Sequence, residues 1–163
     1  MIIYAYKGNY KNQKDGLFEK AWHEYNPGKP LPQIIRDEKG KPSFKDDSLF
    51  FSVSHSHDYW ICVFSHYQVG IDIQYRKSLG NELSIAKRFF SKEEASAVEE
   101  NGKNLFYKLW TKREALGKYL GTGFFLPEII ENPPIIIEFT LEDEYQGAIA
   151  TEREEKVWIK TIN

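Results

Sequence analysis

Short strand-like runs occur in this chain in two sets of three, with a long helical stretch between the sets. Leu49–Val53, Trp60–Ser65 and Val69–Gln74 are rich in β-branched and aromatic residues. Turn formers divide them, Ser54–Asp58 first and then His66-Tyr67. Ile135–Thr140, Tyr145–Ala150 and Val157–Ile162 repeat that layout, joined by Glu142–Glu144 and by the charged Glu152–Lys156. Runs at such short spacing predict an antiparallel meander in each set. Helical material precedes both. In the first half Asp15 and Gly16 lead into Leu17, Phe18, Ala21, Trp22 and Tyr25, whose spacing predicts one amphipathic helix ending near Asn26-Pro27-Gly28. The expected class is α+β, as two similar lobes related by a pseudo-twofold, each with helices packed on a small antiparallel sheet. The lobes are expected at residues 1–75 and 76–163, with a cleft between them as the natural site.

The remaining segments fill in this plan. Met1–Tyr6 is β-branched and aromatic and predicts a strand, at a sheet edge. Pro27–Ser48 is the longest irregular region, with a turn at Asp37-Glu38-Lys39-Gly40, and reads equally as a binding loop or a connector. Leu83, Ile85, Ala86 and Phe89-Phe90 mark a short helix. Ser91-Lys92-Glu93-Glu94 fits a capping box, so a second helix is expected from Lys92 to about Glu100, stopped by Asn101-Gly102. Lys103–Leu120 carries the strongest helical pattern in the chain, with Gly121 suited to its C-terminal cap and Gly117 expected to be kept for close packing.

Composition bounds the function. The 163 residues suffice for one domain or two small lobes, and 41% hydrophobic and 15% aromatic content predicts a packed core. With 22 basic against 24 acidic residues the net charge is −2, which argues against a general nucleic-acid binder. One cysteine, Cys62, excludes an intramolecular disulfide and fits a reducing cytosol. No apolar run approaches the roughly 18 residues of a membrane span, and Met-Ile-Ile-Tyr-Ala-Tyr-Lys lacks a signal-peptide layout. A cytoplasmic protein is expected.

Chemistry-bearing residues fall in three places. Asp72 lies between Ile71 and Ile73, and alternation sends the isoleucines to one face and Asp72 to the other, beside Gly70 and Gln74. It is either a solvated strand residue or part of a site. Glu114 and Lys118 stand four apart and share a helix face with Trp110, as a surface ion pair worth a few tenths of a kcal/mol or as site residues. His55 and His57, with Cys62 and His66 nearby, raise a zinc-dependent hydrolase that would also use Asp72. Against it, neither Cys-x-x-Cys nor His-Glu-x-x-His is present. Adjacent Ser54 and His55 rarely face each other as nucleophile and base, and no Gly-x-Ser-x-Gly elbow or Walker loop occurs.

Four segments together resemble a family. Phe-Ser-Val-Ser-His-Ser, Gly-Ile-Asp-Ile-Gln, Ala-Lys-Arg-Phe-Phe-Ser-Lys-Glu-Glu and Phe-Tyr-Lys-Leu-Trp-Thr-Lys-Arg-Glu-Ala-Leu-Gly-Lys, in this order from about Lys39 to Leu126, are similar to the consecutive motifs of 4′-phosphopantetheinyl transferases of the larger, pseudo-dimeric branch. The resemblance implies the two-lobe α+β fold and a monomer. It implies transfer of phosphopantetheine from coenzyme A to a serine of an apo acyl or peptidyl carrier protein, leaving adenosine 3′,5′-bisphosphate, with Mg²⁺ or Mn²⁺ as cofactor. Carried over residue by residue, Asp72 and Glu114 are metal ligands, Glu114 also takes the serine proton, and Lys118 binds the pyrophosphate. His55 with Ser54 holds the coenzyme A phosphates, and Lys41 contacts the nucleotide. Gln74 stands where the family often has a glutamate, so the metal site loses one negative charge. The N-terminal lobe is short, leaving Lys29 and Arg36 as substitutes for basic residues at the 3′-phosphate. Phe124-Phe125-Leu126 or Ser78–Phe90, with Lys87 and Arg88, is the expected surface for the carrier's acidic helix, against the alternative that Phe89 and Phe90 are core. A coenzyme A-binding module of the same fold with lost catalysis is the second reading.

Overall fold

The structure, a computed structural model, describes residues 1–46, 49–77 and 79–163. Ser48, at the end of the long irregular region, and Ser78, at the start of the expected carrier surface, lie outside the described residues. The chain begins with strand β1 (Ile2–Lys7) and helix α1 (Lys14–Tyr25). A hairpin follows, β2 (Ile34–Arg36) and β3 (Pro42–Phe44), then β4 (Phe50–Ser56), β5 (Tyr59–Ser65) and β6 (Val69–Tyr75). Helices α2 (Glu82–Phe89), α3 (Lys92–Asn101) and α4 (Lys103–Leu120) lead to β7 (Ile135–Leu141), β8 (Tyr145–Thr151) and β9 (Trp158–Thr161).

These elements stack in layers. One sheet has the order β4-β5-β1-β9 and the other β6-β8-β7. Ile3, Ile61 and Val63 of the first meet Ile71, Ile73 and Ile149 of the second in a shared apolar core. The opposite face of the first sheet presents Tyr4, Trp60, Cys62 and Phe64 to Phe18 and Trp22 of α1 and Phe44 of β3, forming a largely aromatic core. The opposite face of the second sheet presents Ala148 and Ala150 to Ala115 and Tyr119 of α4. Ile71 and Ile73 thus enter the core between the sheets while Asp72 turns to the α4 side, as alternation requires.

Neither set of three strands is a meander. β4 and β5 form a hairpin, but His66–Gln68 carry the chain out of that sheet, and β6 pairs antiparallel with β8. In the second set β9 leaves β8 and lies parallel to β1. β1 is therefore an interior strand between β5 and β9 rather than an edge, consistent with burial of Ile3, Tyr4 and Ala5 on both faces. Pro27–Ser48, expected to be irregular, contains the β2–β3 hairpin around the Asp37–Gly40 turn.

Two contacts replace the missing backbone pairing and position the site. Ser52, Ser54 and Ser56 project from the same face of β4, and their hydroxyls accept from the amides of Ile71, Ile73 and Tyr75 at 3.0, 3.3 and 2.9 Å. The outer edge of β6 would otherwise leave these donors without a strand partner. On its other side β6 meets α4 through Gly70, where a Cβ would collide with the Ala115 carbonyl and the Tyr119 amide. The helix itself is set as its sequence specifies. Ser91 and Glu94 form the capping box of α3, and Gly121 closes α4 in the left-handed region at φ 70°. Gly117 packs against the Gly123 carbonyl, which leaves no room for a side chain.

Gly70→Ala must push β6 and α4 apart and is expected to cost ~3 kcal/mol or more, measured from denaturant midpoints. Gly16→Ala, inside α1 with open space around it, is expected to stabilise by ~0.5–1 kcal/mol.

Candidate active site

Asp72 is 2% exposed, buried on the α4 side of β6, and three donors contact its carboxylate. Ser54 Oγ donates to Oδ1 at 2.7 Å, Lys118 Nζ donates to the same oxygen at 2.9 Å, and Gln74 Nε2 donates to Oδ2 at 3.1 Å. Lys118 Nζ also donates to the Ile71 carbonyl at 2.9 Å. The sequence expected Ser54 at a coenzyme phosphate; here its hydroxyl seats Asp72 and caps the Ile73 amide. The carboxylate is anchored by neighbours from β4, β6 and α4, so a carbon-level shift of any of these elements would strip a buried charge of its partners.

Glu114 lies one turn before Lys118 on α4. Burial raises its carboxyl above the usual range, the nearby Asp72 charge adds to that, and Lys118 opposes it. Two acids that repel each other, with one ammonium between them, form a site short of positive charge. Gln74 faces the pair with its amide nitrogen, toward Asp72. Among the described residues no group of three or more His, Cys, Asp or Glu side chains is placed to hold a metal.

The zinc arrangement does not assemble. His55 contacts Tyr10 and Lys14, His57 stacks on Tyr75 at 4.6 Å and approaches Tyr145, and Cys62 is sealed in the aromatic core. The turn after β4 sends the two histidines to different neighbours.

Two adjoining cavities run from Asp72's neighbours toward α1. The first, about 430 Å³, is lined by Lys39, Lys41, Ser52, Gly117, Lys118 and Gly121 among others. Lys41 is half-buried there and donates to the Tyr119 carbonyl at 2.8 Å; desolvation pulls its ammonium down, partly offset by Asp37. The second, about 610 Å³, shares Pro42, Phe51 and Val53 with the first and is lined by Lys14, Arg36 and His55. His55 stacks on Tyr10 at 5.1 Å, and its Nε2 faces Lys14 Nζ at 3.0 Å. An ammonium only donates, so Nε2 accepts and Nδ1 carries the proton toward Tyr10. Burial and the Lys14 charge hold this imidazole below its usual range, which favours its neutral form. Lys14 was not singled out from sequence. It lies 41 residues before His55, and no local pattern links a residue in the first turn of one helix to the end of a strand. Lys29 lies apart from both cavities, with its carbonyl bound to Trp22 Nε1, whereas Arg36 lines the second.

A separate apolar surface surrounds the α2–α4 junction. Phe89, Trp110 and Phe124 pack together, with Phe89 and Phe90 only half-buried, while Phe125 is 79% exposed. Lys87 and Arg88 are exposed beside it, Lys87 near Glu99 and Arg88 over the Phe89 ring.

Sequence comparison bears on this geometry. The profile of the 4′-phosphopantetheinyl transferase superfamily matches residues 68–161, which include β6, α4 and the acids they carry. The chain is 41% identical over 109 residues to 4′-phosphopantetheinyl transferase Sfp of Bacillus subtilis, covering 64% of this chain and 48% of that protein. It is 34% identical over 104 residues to 4′-phosphopantetheinyl transferase HetI of a Nostoc species, covering 58% and 44%. With 4′-phosphopantetheinyl transferase psf-1 of Bacillus pumilus the identity is 30% over 149 residues, covering 76% and 63%. The chain spans about half the length of the first two of these relatives. A profile match over more than half of the chain, carrying Asp72, Glu114 and Lys118 within it, places the protein in the 4′-phosphopantetheinyl transferase superfamily.

Proposed function

We propose that the protein transfers 4′-phosphopantetheine from coenzyme A to a serine of an apo acyl or peptidyl carrier protein, with Mg²⁺ or Mn²⁺ held by Asp72, Gln74 and Glu114. The observation that carries this reading is the meeting of Asp72, Glu114 and Lys118 where β6 touches α4, beside a cavity lined by Lys39, Lys41 and Lys118. The donor set suits the cation, since Mg²⁺ is ordinarily held by one or two carboxylates and by substrate phosphates. When bound, it neutralises the pyrophosphate and stabilises the departing bisphosphate.

The chain's own groups supply the rest. Glu114, whose carboxyl is raised above the usual range so that its ionised form is a stronger base than an ordinary glutamate, accepts the proton of the serine hydroxyl as the serine oxygen attacks the phosphorus bearing pantetheine. The P–O bond to adenosine 3′,5′-bisphosphate breaks, and Lys118 offsets the charge that develops on the departing oxygen. Ser54 keeps Asp72 seated throughout. Lys41 meets the nucleotide, and His55, Lys14 and Arg36 receive phosphate oxygens in the second cavity, Lys14 in the role the sequence had offered to Lys29. Phe125, with Lys87 and Arg88 nearby, receives the carrier's acidic helix.

The two-lobe organisation, residues 1–75 and 76–163, belongs to the same reading. Its support is that each sheet has its own helix, α1 against β5 and α4 against β8, although β6 and β9 pair outside the half of the chain in which they lie. A cytoplasmic monomer is part of the proposal, with Cys62 as a free, buried thiol. No helix among the described residues is long and apolar enough to cross a membrane. A second reading, a coenzyme A-binding module without turnover, is favoured by Gln74 in place of an acid and by the Lys118 ammonium on Asp72. It requires calorimetric binding of coenzyme A without labelling of any carrier in a panel.

Asp72→Asn and Glu114→Gln are expected to lower carrier labelling ~10³-fold while the protein stays folded; full activity in both would overturn the site. His55→Ala and Lys14→Ala should each raise KM for coenzyme A about tenfold with little change in kcat, as loss of a charge-assisted hydrogen bond predicts. Unchanged KM would remove them from the phosphate site. Stability should move oppositely at Glu114. A carboxyl whose folded-state pKa is raised loses stability as pH climbs from the unfolded value, 4.5, through the folded one. Glu114→Gln should therefore flatten that decline, and at pH 8 without metal it should unfold at a temperature equal to or above the wild type.

A further inference from the structure

Gln146 is a polar side chain that nothing in the proposed reaction uses. It lies on the central strand of the second sheet and is 1% exposed. Its Nε2 donates to the Gly147 carbonyl at 3.2 Å, while its Oε1 is buried without a partner among the described residues. The Gly147 contact fixes which end is which, because turning the amide over would set two oxygens against each other. A buried acceptor left unpaired on a central strand costs stability and needs an explanation.

Its position in the sheet supplies one. In the β6–β8 register Gln146 stands opposite Gln74, and Asp72 stands opposite Ala148. Ala148 faces α4, so alternation puts Gln146, Gln74 and Asp72 on that same face. Side chains directly opposite on neighbouring strands have Cβ atoms about 5 Å apart, within the reach of two glutamines.

Gln74 itself is turned the wrong way for a cation. It offers Nε2 to Asp72 Oδ2, an orientation dictated by the carboxylate, which can only accept. To contribute an oxygen beside Asp72, the amide must turn over, and its N–H groups then need a new acceptor. We propose that Gln146 Oε1 is that acceptor. It is a positioning residue that holds Gln74 in the metal-binding orientation, so that one glutamine pair does the work of the glutamate that the site lacks. In the turned state Gln74 Oε1 joins the Asp72 carboxylate, its Nε2 donates to Gln146 Oε1, and both unsatisfied groups find partners. This inference rests on the metal-site reading of Asp72, Gln74 and Glu114.

The test is Mn²⁺ binding, followed by electron paramagnetic resonance on the full chain with coenzyme A present and carrier protein absent. Gln146→Met keeps the volume and removes the acceptor, and it is expected to weaken Mn²⁺ about tenfold, the scale seen when a group supporting a metal ligand is lost. Its unfolding temperature should stay the same or rise, since a buried unpaired oxygen has been deleted. A purely structural role predicts the reverse, lower stability and unchanged Mn²⁺ affinity, and that result would overturn the proposal. In a Gln74→Glu background the ligand has no N–H to place, so the penalty of Gln146→Met should shrink below about twofold; a penalty of the same size in both backgrounds would also overturn it. Asp72→Asn distinguishes loss of the metal site from loss of the support Gln146 gives it. If it leaves Mn²⁺ binding intact, the metal-site reading itself fails. If it abolishes binding while Gln146→Met changes nothing, the positioning role alone fails.

Discussion

The outer edge of β6 is the constraint on which the site depends. A strand at the border of a three-stranded sheet exposes a row of amides that must be satisfied, and here the row is taken by the side chains of Ser52, Ser54 and Ser56 rather than by another backbone. Hydroxyls differ from carbonyls in having a proton left to give. Ser54 uses it on Asp72, so the contact that joins the two sheets also anchors the acid at the centre of the site. On the other side Gly70 lets α4 settle against the strand, and this brings Lys118 to the same carboxylate. Sheet packing, helix packing and the charge arrangement are thus one structure.

The electrostatic consequence is a pair of carboxyls and a set of cationic side chains gathered along one seam. Asp72 is held by three donors, whereas the Glu114 carboxyl is raised by burial and by Asp72. One ammonium serves two carboxyls, and the cavities alongside are lined by lysines, an arginine, Asp15 and a histidine held below its usual range by burial and by Lys14. Such an arrangement is held at some cost to stability, because Asp72 and Glu114 repel one another across a partly buried space.

Much of the local structure was legible because short-range rules decided it. The capping box at Ser91, the left-handed Gly121 and the apolar spacing of Lys103–Leu120 each specify their element within a few residues. The facing of Asp72 away from Ile71 and Ile73 followed from a period of two, and the sharing of a face by Glu114 and Lys118 from the helical repeat. The hairpin within Pro27–Ser48 was missed because each of its strands is only three residues long, too short for alternation to show. Lys14 was missed for a different reason, since its partner His55 is reached only through the packing of α1 on the first sheet.

What the sequence by itself determined is the α+β class, the four helices and the longer strands, and the presence of Asp72, Glu114 and Lys118 where β6 meets α4. Tertiary structure alone decided which strands pair. Strand periodicity says which face a residue takes but carries no label for its neighbour, so three short runs read as a meander whether or not the third stays in the sheet. Burial of the shared core and the serine contacts settled that β6 joins β8 and β9 joins β1. The same exchange sets Gln74 opposite Gln146, a juxtaposition across more than seventy residues of chain that no local pattern encodes.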